Sequence, residues 1–506
     1  MSFVRPVRAG AILAVVSGAQ FMLILDLAIV NVAIPSMQAD LQLDQADLQW
    51  VVITYGLALG GFLLLGGRAA DLLGRRRVLV SGLALFAAAS LAAGLSDALW
   101  QLVGARAVQG IGAALAAPAA LSILTSTFTE GAARNKALGI FGAVGGAAGT
   151  VGVIAGGLFT EGPGWEWIFL VNVPIGAALI GLVMLFVPGG RPSERTPADV
   201  AGAVTVTAGL MAIVYAINRT VDDGWLSSAT IGFAALGVAL LVAFVAVERR
   251  SPAPLVPLRV FRRRTFTAAN VVAALLWAAF FATIFEGTLW FQQALGYSAV
   301  ETGVAWLAST VSSLVVAGAV APRFVGRFGA STSLVVGQLL VTGGLLSLTR
   351  VPVDAAYWTD VFPGLLAFGL GLGFSIMAVQ VAAFTGVDES TAGLAGGMIE
   401  TSREIGGALG VAVVATIALA RVDDVLASAG SGPAETSMAL TEGFQRAMLV
   451  AAGLSLLAAT AAGLLLRRAE RAAPATGAPA TTGGVPAAAS GPAAEPAFAV
   501  TDEIAG

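Results

Sequence analysis

Residues 10–34 read GAILAVVSGAQFMLILDLAIVNVAI and carry a single ionisable group, Asp26. About 20 apolar residues in a helix cross the roughly 30 Å hydrocarbon core of a bilayer, so this stretch is long enough to span one. Arg5 and Arg8 precede it as they would in a secretory leader. The apolar run is too long for a leader, however, contains Asp26, and runs into no clear cleavage site. Lipid accepts only helices or closed barrels, because every backbone polar group must be satisfied within the protein. The period-2 alternation of a barrel strand is missing here, so the stretch reads as a first membrane helix.

The same pattern recurs along the chain. Spans are predicted at about 10–34, 48–66, 78–95, 99–124, 138–158, 168–187, 198–217, 228–247, 266–290, 302–320, 331–349, 360–385, 393–420 and 444–466. Composition agrees: 11% of the 506 residues are charged and 57% hydrophobic, against about 25% charged in an ordinary soluble domain. So little charge cannot cover a water-facing surface, and lipid is the expected main solvent. The chain has no Cys and no His, which excludes disulfides and thiolate chemistry. Its one lysine, Lys136, does not follow the glycine pattern of a phosphate-binding loop. No catalytic residue, metal site, cofactor or nucleic-acid partner is expected, and the chain does not read as an enzyme.

Basic residues set the orientation. With the N-terminus in the cytoplasm, every one of the 27 Lys and Arg falls on inner segments except Arg219, Arg350, Arg421 and Arg446 outside and Arg106 and Arg403 within spans. The positive-inside rule then places both termini in the cytoplasm of a plasma-membrane protein. The segment ERRSPAPLVPLRVFRRR (248–264) reads as a cytoplasmic linker. The expected organisation is an N-terminal six-helix bundle (1–190), an inserted two-helix hairpin (191–248), and the linker with a C-terminal six-helix bundle (249–470). Residues 471–506, rich in Ala, Pro, Gly and Thr without periodicity, read as a disordered tail.

Four segments carry a family resemblance. The loop after the second span reads GRAADLLGRRR (67–77), where Gly67 and Gly74 permit a tight turn. Asp71 there can face a helix N-terminus or a nearby Arg, and Arg75 and its neighbours anchor at headgroups. Span 4 carries RAVQGIG (106–112), span 1 LDLAIVNVAIP (25–35), and the entry to span 6 WEWIFLVNVPIG (165–176). The first two are similar to the cytoplasmic loop and buried-arginine motifs of the major facilitator superfamily. The last two resemble its fourteen-helix drug:proton antiporter branch. This resemblance, over about residues 10–466, implies an all-α membrane protein of major facilitator fold: two six-helix bundles plus two inserted helices. It also implies a conformational-switch role for Gly67, Asp71, Gly74 and Arg75. In span 5, Gly149, Gly152, Gly156 and Gly157 belong to a small-residue surface that lets helices pack closely. The branch usually has Pro after the glycine at 152, where this chain has Val153. The second half echoes the first, with RFVGRFG (323–329) after span 10 and a glycine-rich span 13.

Ionisable groups inside a membrane are expensive, about 2.5–3.5 kcal/mol each on insertion scales, and mark candidate sites. Asp26 reads either as a hydrogen-bonded lock between helices or as a proton or cationic-substrate site. Without His, carboxylates must carry any coupled proton, so Asp26, Glu400 and Glu404 are the candidates. Glu400, Arg403 and Glu404 share one helix face by their spacing. They form either a local triad or an additional proton or cation site. The related antiporters more often carry Asn-Thr-x-Arg-Gln there. Arg106 and Arg403 are expected to pair with carboxylates. Glu286 falls near the outer end of span 9, in a solvated vestibule or a buried position. Trp277, Phe281 and Phe285 on span 9 and Met22 on span 1 could wall a substrate cavity through dispersion and cation–π attraction.

These features point to a monomeric exporter that exchanges protons for small amphipathic or cationic compounds such as drugs or antibiotics. A dedicated exporter of one natural product or metabolite is the alternative, and a non-transporting membrane scaffold a third reading.

Overall fold

The computed structural model describes residues 6–128, 132–189, 199–252, 254, 261, 263–384, 392–430 and 432–466. Among them every regular element is helical. The helices are α1 (Pro6–Leu41), α2 (Gln45–Leu73), α3 (Arg75–Gly94), α4 (Leu99–Thr127), α5 (Ala132–Glu161), α6 (Trp167–Leu170), α7 (Asn172–Phe186), α8 (Val200–Asp223) and α9 (Ser228–Arg250). They continue with α10 (Arg264–Leu289), α11 (Ala299–Val315), α12 (Ala321–Phe328), α13 (Ala330–Leu348), α14 (Phe362–Phe384), α15 (Ala392–Ala429) and α16 (Pro433–Ala461). Short π-helical turns continue α10 and α11 and precede α14.

Twelve of the described helical stretches are long and apolar enough to cross a membrane. Their outward faces carry large apolar side chains such as Leu185, Val242 and Leu456. Trp100, Trp167, Trp225 and Trp358 are exposed at helix ends, the level at which amphipathic rings meet lipid headgroups. The protein is a multi-pass membrane protein.

One apolar cluster joins α1, α2, α3, α4 and α7, and two others fill the space among α10–α16. A further cluster spans the seam between them and brings Ile34, Leu57, Leu210, Phe285 and Val411 together. Along that seam α2 packs on α15 and α5 on α11, while α8 lies against both α2 and α15.

The echo between the two loop motifs has a backbone basis. Gly74, at φ 95°, is the one residue between α2 and α3; Gly329, at φ 84°, is the one residue between α12 and α13. Both lie in the left-handed region where a side chain is strained, so glycine ends each helix and reverses the chain in a single step. Gly67 packs near Pro118, and Arg75 donates to the Ser122 carbonyl at 3.2 Å, tying this turn to the end of α4. The Asp71 side chain lies outside the described residues.

Glycines set how closely α1 and α5 approach. A Cβ at Gly152 would stand 2.7 Å from the Ala28 Cβ, and one at Gly156 2.9 Å from the Ile29 carbonyl oxygen. Gly157 serves the seam instead, 2.7 Å from the Val300 Cα on α11 by the same measure. Gly149, expected with them, is corrected: a Cβ there meets nothing within 4 Å. It lies on the same helix but points away from the contact.

On α4, Gly110 and Gly104 offer an internal comparison. A Cβ at Gly110 would stand 2.6 Å from the Tyr55 carbonyl oxygen and 2.7 Å from the Ala58 Cβ, whereas Gly104 faces open space. Gly110→Ala is therefore expected to lower the thermal midpoint of the detergent-purified protein, at the cost of about 1–3 kcal/mol usual for overpacking. Gly104→Ala should leave it unchanged. Equal midpoints for the two variants would show that α2 and α4 separate without resistance.

Candidate functional site

Three helices, α1, α4 and α7, meet at Asp26. The apolar run of α1 carries this carboxylate into the core, where its exposure is 0%. Arg106 of α4, exposed by 1%, donates from Nη1 to Asp26 Oδ2 at 2.6 Å. Asn172, the first residue of α7, donates from Nδ2 to Asp26 Oδ1 at 2.8 Å, and Gln109 Nε2 reaches the same oxygen at 3.2 Å.

The cation is held as thoroughly as the anion. Arg106 Nε donates to the Val51 carbonyl of α2 at 3.0 Å, and Nη1 to Gln109 Oε1 at 3.0 Å. The guanidinium lies 4.3 Å from the Tyr55 ring centroid and 5.7 Å from that of Phe169. Gln109 also donates to Ser90 Oγ at 2.7 Å, which brings α3 into the network. Arg106, Gln109 and Gly110 therefore act as one unit: arginine supplies the charge, glutamine fixes both partners, and glycine admits α2.

A second charge cluster sits on α15. Arg403 donates from Nε and Nη2 to Glu404 Oε1, at 2.9 and 2.6 Å, and also pairs with Glu400. Glu404 is 2% exposed against 29% for Glu400, so the first is enclosed and the second only partly so. The Arg403 guanidinium lies 5.3 Å from the Trp277 ring centroid on α10. Trp277, Phe280 and Phe281 form one aromatic group there. Nearby, Ser402 donates to Asn270 Oδ1 at 2.8 Å, a further polar link between α15 and α10.

The two clusters meet at α2. A Cβ at Gly56 would stand 3.4 Å from Glu404 Oε2, and one at Gly60 3.0 Å from the Glu404 Cβ. Tyr55, one residue before Gly56, stacks on Arg106. Glycine on one side of the residue pair and tyrosine on the other let α2 serve both charge centres.

The expected cavity residues separate. Trp277 and Phe281 stay together beside Arg403. Phe285 is enclosed in the seam cluster among Ile34, Leu57 and Val411. Met22 lies in the core of the α1–α4 and α7 cluster, near Gly176 of α7. Glu286 takes the buried of its two expected positions: 5% exposed, it lines a small crevice with Trp290, Ala418, Val422, Gly443 and Phe444 of α10, α15 and α16. Met22 and Glu286 thus face surroundings of their own, while Phe281 packs against the seam cluster that encloses Phe285 and joins it to Trp277.

Tyr55, Ser90 and the Val51 carbonyl went unread in the sequence. Tyr55 sits in an ordinary apolar run, and a backbone carbonyl leaves no trace in a sequence. Asn172 and Gln109 did leave a signal, since both fall inside motifs quoted above.

At the end of the molecule where Gly157 meets Val300, further contacts cross the seam. Glu161 Oε1 accepts the Val300 backbone N–H at 2.9 Å, and that amide, aided by the Ser298 side chain, holds the Glu161 carboxyl below its ordinary range. Gln292 Nε2 donates to the Val32 carbonyl at 2.9 Å.

A family model described as Major Facilitator Superfamily matches residues 16–411. The puromycin resistance protein pur8 of Streptomyces alboniger is 38% identical over 93% of this chain and 94% of that protein. The cephamycin export protein CmcT of Amycolatopsis lactamdurans is 38% identical over 79% of this chain and 83% of its own length. The tetracenomycin C resistance and export protein of Streptomyces glaucescens is 35% identical over 80% and 75% respectively. Among solved structures, a bacterial homologue of the lysosomal transporter Spinster, in an inward-facing and unoccupied conformation, superposes with a TM-score of 0.64 at 16% identity. The match covers 92% of this chain and 98% of that one. The chain is a transporter and not an enzyme, and it belongs to the major facilitator superfamily.

Proposed function

We propose that this protein exports small amphipathic or cationic compounds in exchange for protons, by alternating access. The observation that carries the reading is the fully buried Asp26–Arg106 pair, a carboxylate and a cation locked together between α1 and α4. Proton uptake at Asp26 removes the charge that Arg106 holds and loosens α1 from α4. Loss of that proton to the other side re-forms the pair. One charge moving through 100 mV supplies about 2.3 kcal/mol to such a cycle. Glu400 and Glu404 form a second candidate proton site, with Arg403 the partner that holds them. The aromatic group at Trp277 and Phe281, beside Arg403, forms a candidate substrate wall.

Several features support a fourteen-span architecture divided six, two and six. Beyond the twelve apolar helices, α2 and α5 are also long, with 29 and 30 residues, and with these two the count reaches fourteen. The α1–α7 and α10–α16 groups would be the two bundles (1–190 and 249–470), and α8–α9 the inserted hairpin (191–248). The proposed tail, 471–506, lies outside the described residues. Arg and Lys distribution favours both termini in the cytoplasm of the plasma membrane. In that orientation the Glu161–Val300 contact lies on the outer side. The protein is proposed to work as a monomer, with the lipid bilayer and protons as its standing partners.

The relatives named above favour a second reading as well, since each is named for one antibiotic. A dedicated exporter of a single natural product would use the same coupling with a narrower cavity. Purified protein in liposomes, given an imposed pH gradient and a panel that includes ethidium, puromycin and neutral antibiotics, distinguishes these. Gradient-driven movement of several unrelated compounds is expected. Movement of one alone favours the dedicated exporter, and movement of none by folded protein overturns efflux of this class.

A further inference from the structure

Tyr55 is 0% exposed, yet its hydroxyl has no hydrogen-bond partner. Orphaned hydroxyls are costly in a buried setting, about 1–3 kcal/mol, and ask for an explanation. Phenylalanine would supply the same ring to Arg106 without that cost. The hydroxyl therefore serves something other than this arrangement.

Its surroundings show what. The phenol lies within electrostatic reach of Asp26 on α1, Arg106 on α4, and Arg403 and Glu404 on α15. Both guanidinium hydrogen bonds to Glu404 arrive at Oε1, which leaves Oε2 on the side of α2, against Gly56. Tyr55 adjoins Gly56 in sequence, so its side chain leaves α2 one helical step from the face that meets Glu404. The Arg106 guanidinium covers the face of the ring, and Arg106 is itself held by Asp26.

We propose that Tyr55 is the positioning residue through which the two charge centres are coupled, its hydroxyl donating to Glu404 Oε2 when the Arg106–Asp26 pair opens. In the closed pair, Arg106 holds the ring and the hydroxyl has no acceptor. When Asp26 takes a proton and Arg106 moves, the ring is released, α2 shifts, and the hydroxyl finds Glu404. The state of Asp26 is then felt 2 helices away without a charge crossing between them. This rests on the proton-coupled reading above and adds to it a named contact between the bundles.

The chain contains no Cys, so spin labels can be placed without background removal. Asp97→Cys and Asp354→Cys label exposed loops at the far ends of the helices that begin after Gly74 and Gly329. Their separation is measured by pulsed electron paramagnetic resonance in purified full-length protein in lipid nanodiscs between pH 5 and pH 9. The labelled protein is expected to change its distance distribution with pH, and no change at all overturns the proton-coupled reading itself. Tyr55→Phe is expected to keep or raise the thermal midpoint, because it removes an unpartnered buried hydroxyl. It should move the pH midpoint of the distance change down by about one unit. The lost bond forms only in the open state, in which Asp26 carries its proton, so without it more acid is needed to reach that state. The groups facing Glu404 and Tyr55 in this titration are Asp26, Arg106, Glu400 and Arg403, and all remain in the variant. A pH midpoint identical to that of the parent overturns the Tyr55 proposal and leaves the coupling reading standing. A lowered thermal midpoint with an unmoved pH midpoint also overturns it, in favour of simple packing.

Discussion

Asp26→Asn is expected to abolish efflux driven by a pH gradient while the protein still folds and reaches the membrane. The substitution keeps the shape of the side chain and removes both its charge and its ability to carry a proton. Gln109 and Asn172 both donate to Oδ1, so an amide oxygen placed there keeps those two bonds. The cost falls on Arg106, which loses its anion but retains the Val51 carbonyl, Gln109 Oε1 and the Tyr55 ring. Folding is therefore weakened less than transport. Initial rates of gradient-driven movement in proteoliposomes should fall to those of protein-free vesicles, while the amount of folded protein stays near the parent level. A variant that pumps at the parent rate would remove Asp26 from the coupling path and leave it a lock between helices.

The sequence announced the anion and the cation of this pair separately, and the chain's length hid their meeting. Asp26 and Arg106 were each visible as an ionisable group inside an apolar run, because lipid makes such groups expensive. That Arg106 takes its other bonds from a backbone carbonyl of α2 and from Gln109 depends on how four helices are rotated. Rotation is poorly written in a membrane sequence, since the side that faces lipid is as apolar as the side that faces protein. Met22 and Phe285 show the consequence. Both were read as cavity walls from their position along a helix, and both are enclosed by packing on a face that sequence could not choose. Gly149 shows it on the scale of one turn: it lies 3 residues before Gly152 on the same helix, yet only Gly152 meets α1. The turns at Gly74 and Gly329 were easier, because a positive φ between two helices demands glycine whatever the solvent.

Removing the other half of the pair has a different and larger effect on stability. Arg106→Ala leaves Asp26 in a site of 0% exposure with two amide donors and no cation. Breaking a buried ion pair by removing one partner costs about 3–5 kcal/mol, because the remaining charge has lost its water and its counter-ion together. It also strips Tyr55 and Phe169 of the group packed between their rings, and leaves the Val51 carbonyl without its side-chain donor. That loss is comparable with the whole stability of many folded domains, so a sharp fall in folded yield and thermal midpoint is expected. The double variant Asp26→Asn with Arg106→Gln tests the cause. Two neutral amides can hydrogen-bond where the ions stood, so folded yield should recover well above that of Arg106→Ala. Gradient-driven transport should not recover, because neither group can now carry a proton or answer one. If the double variant folds no better than Arg106→Ala, the cost lies in lost arginine packing and not in an abandoned charge. If it folds and still pumps, protons are carried by the α15 carboxylates, and the Asp26–Arg106 pair holds the helices without driving them.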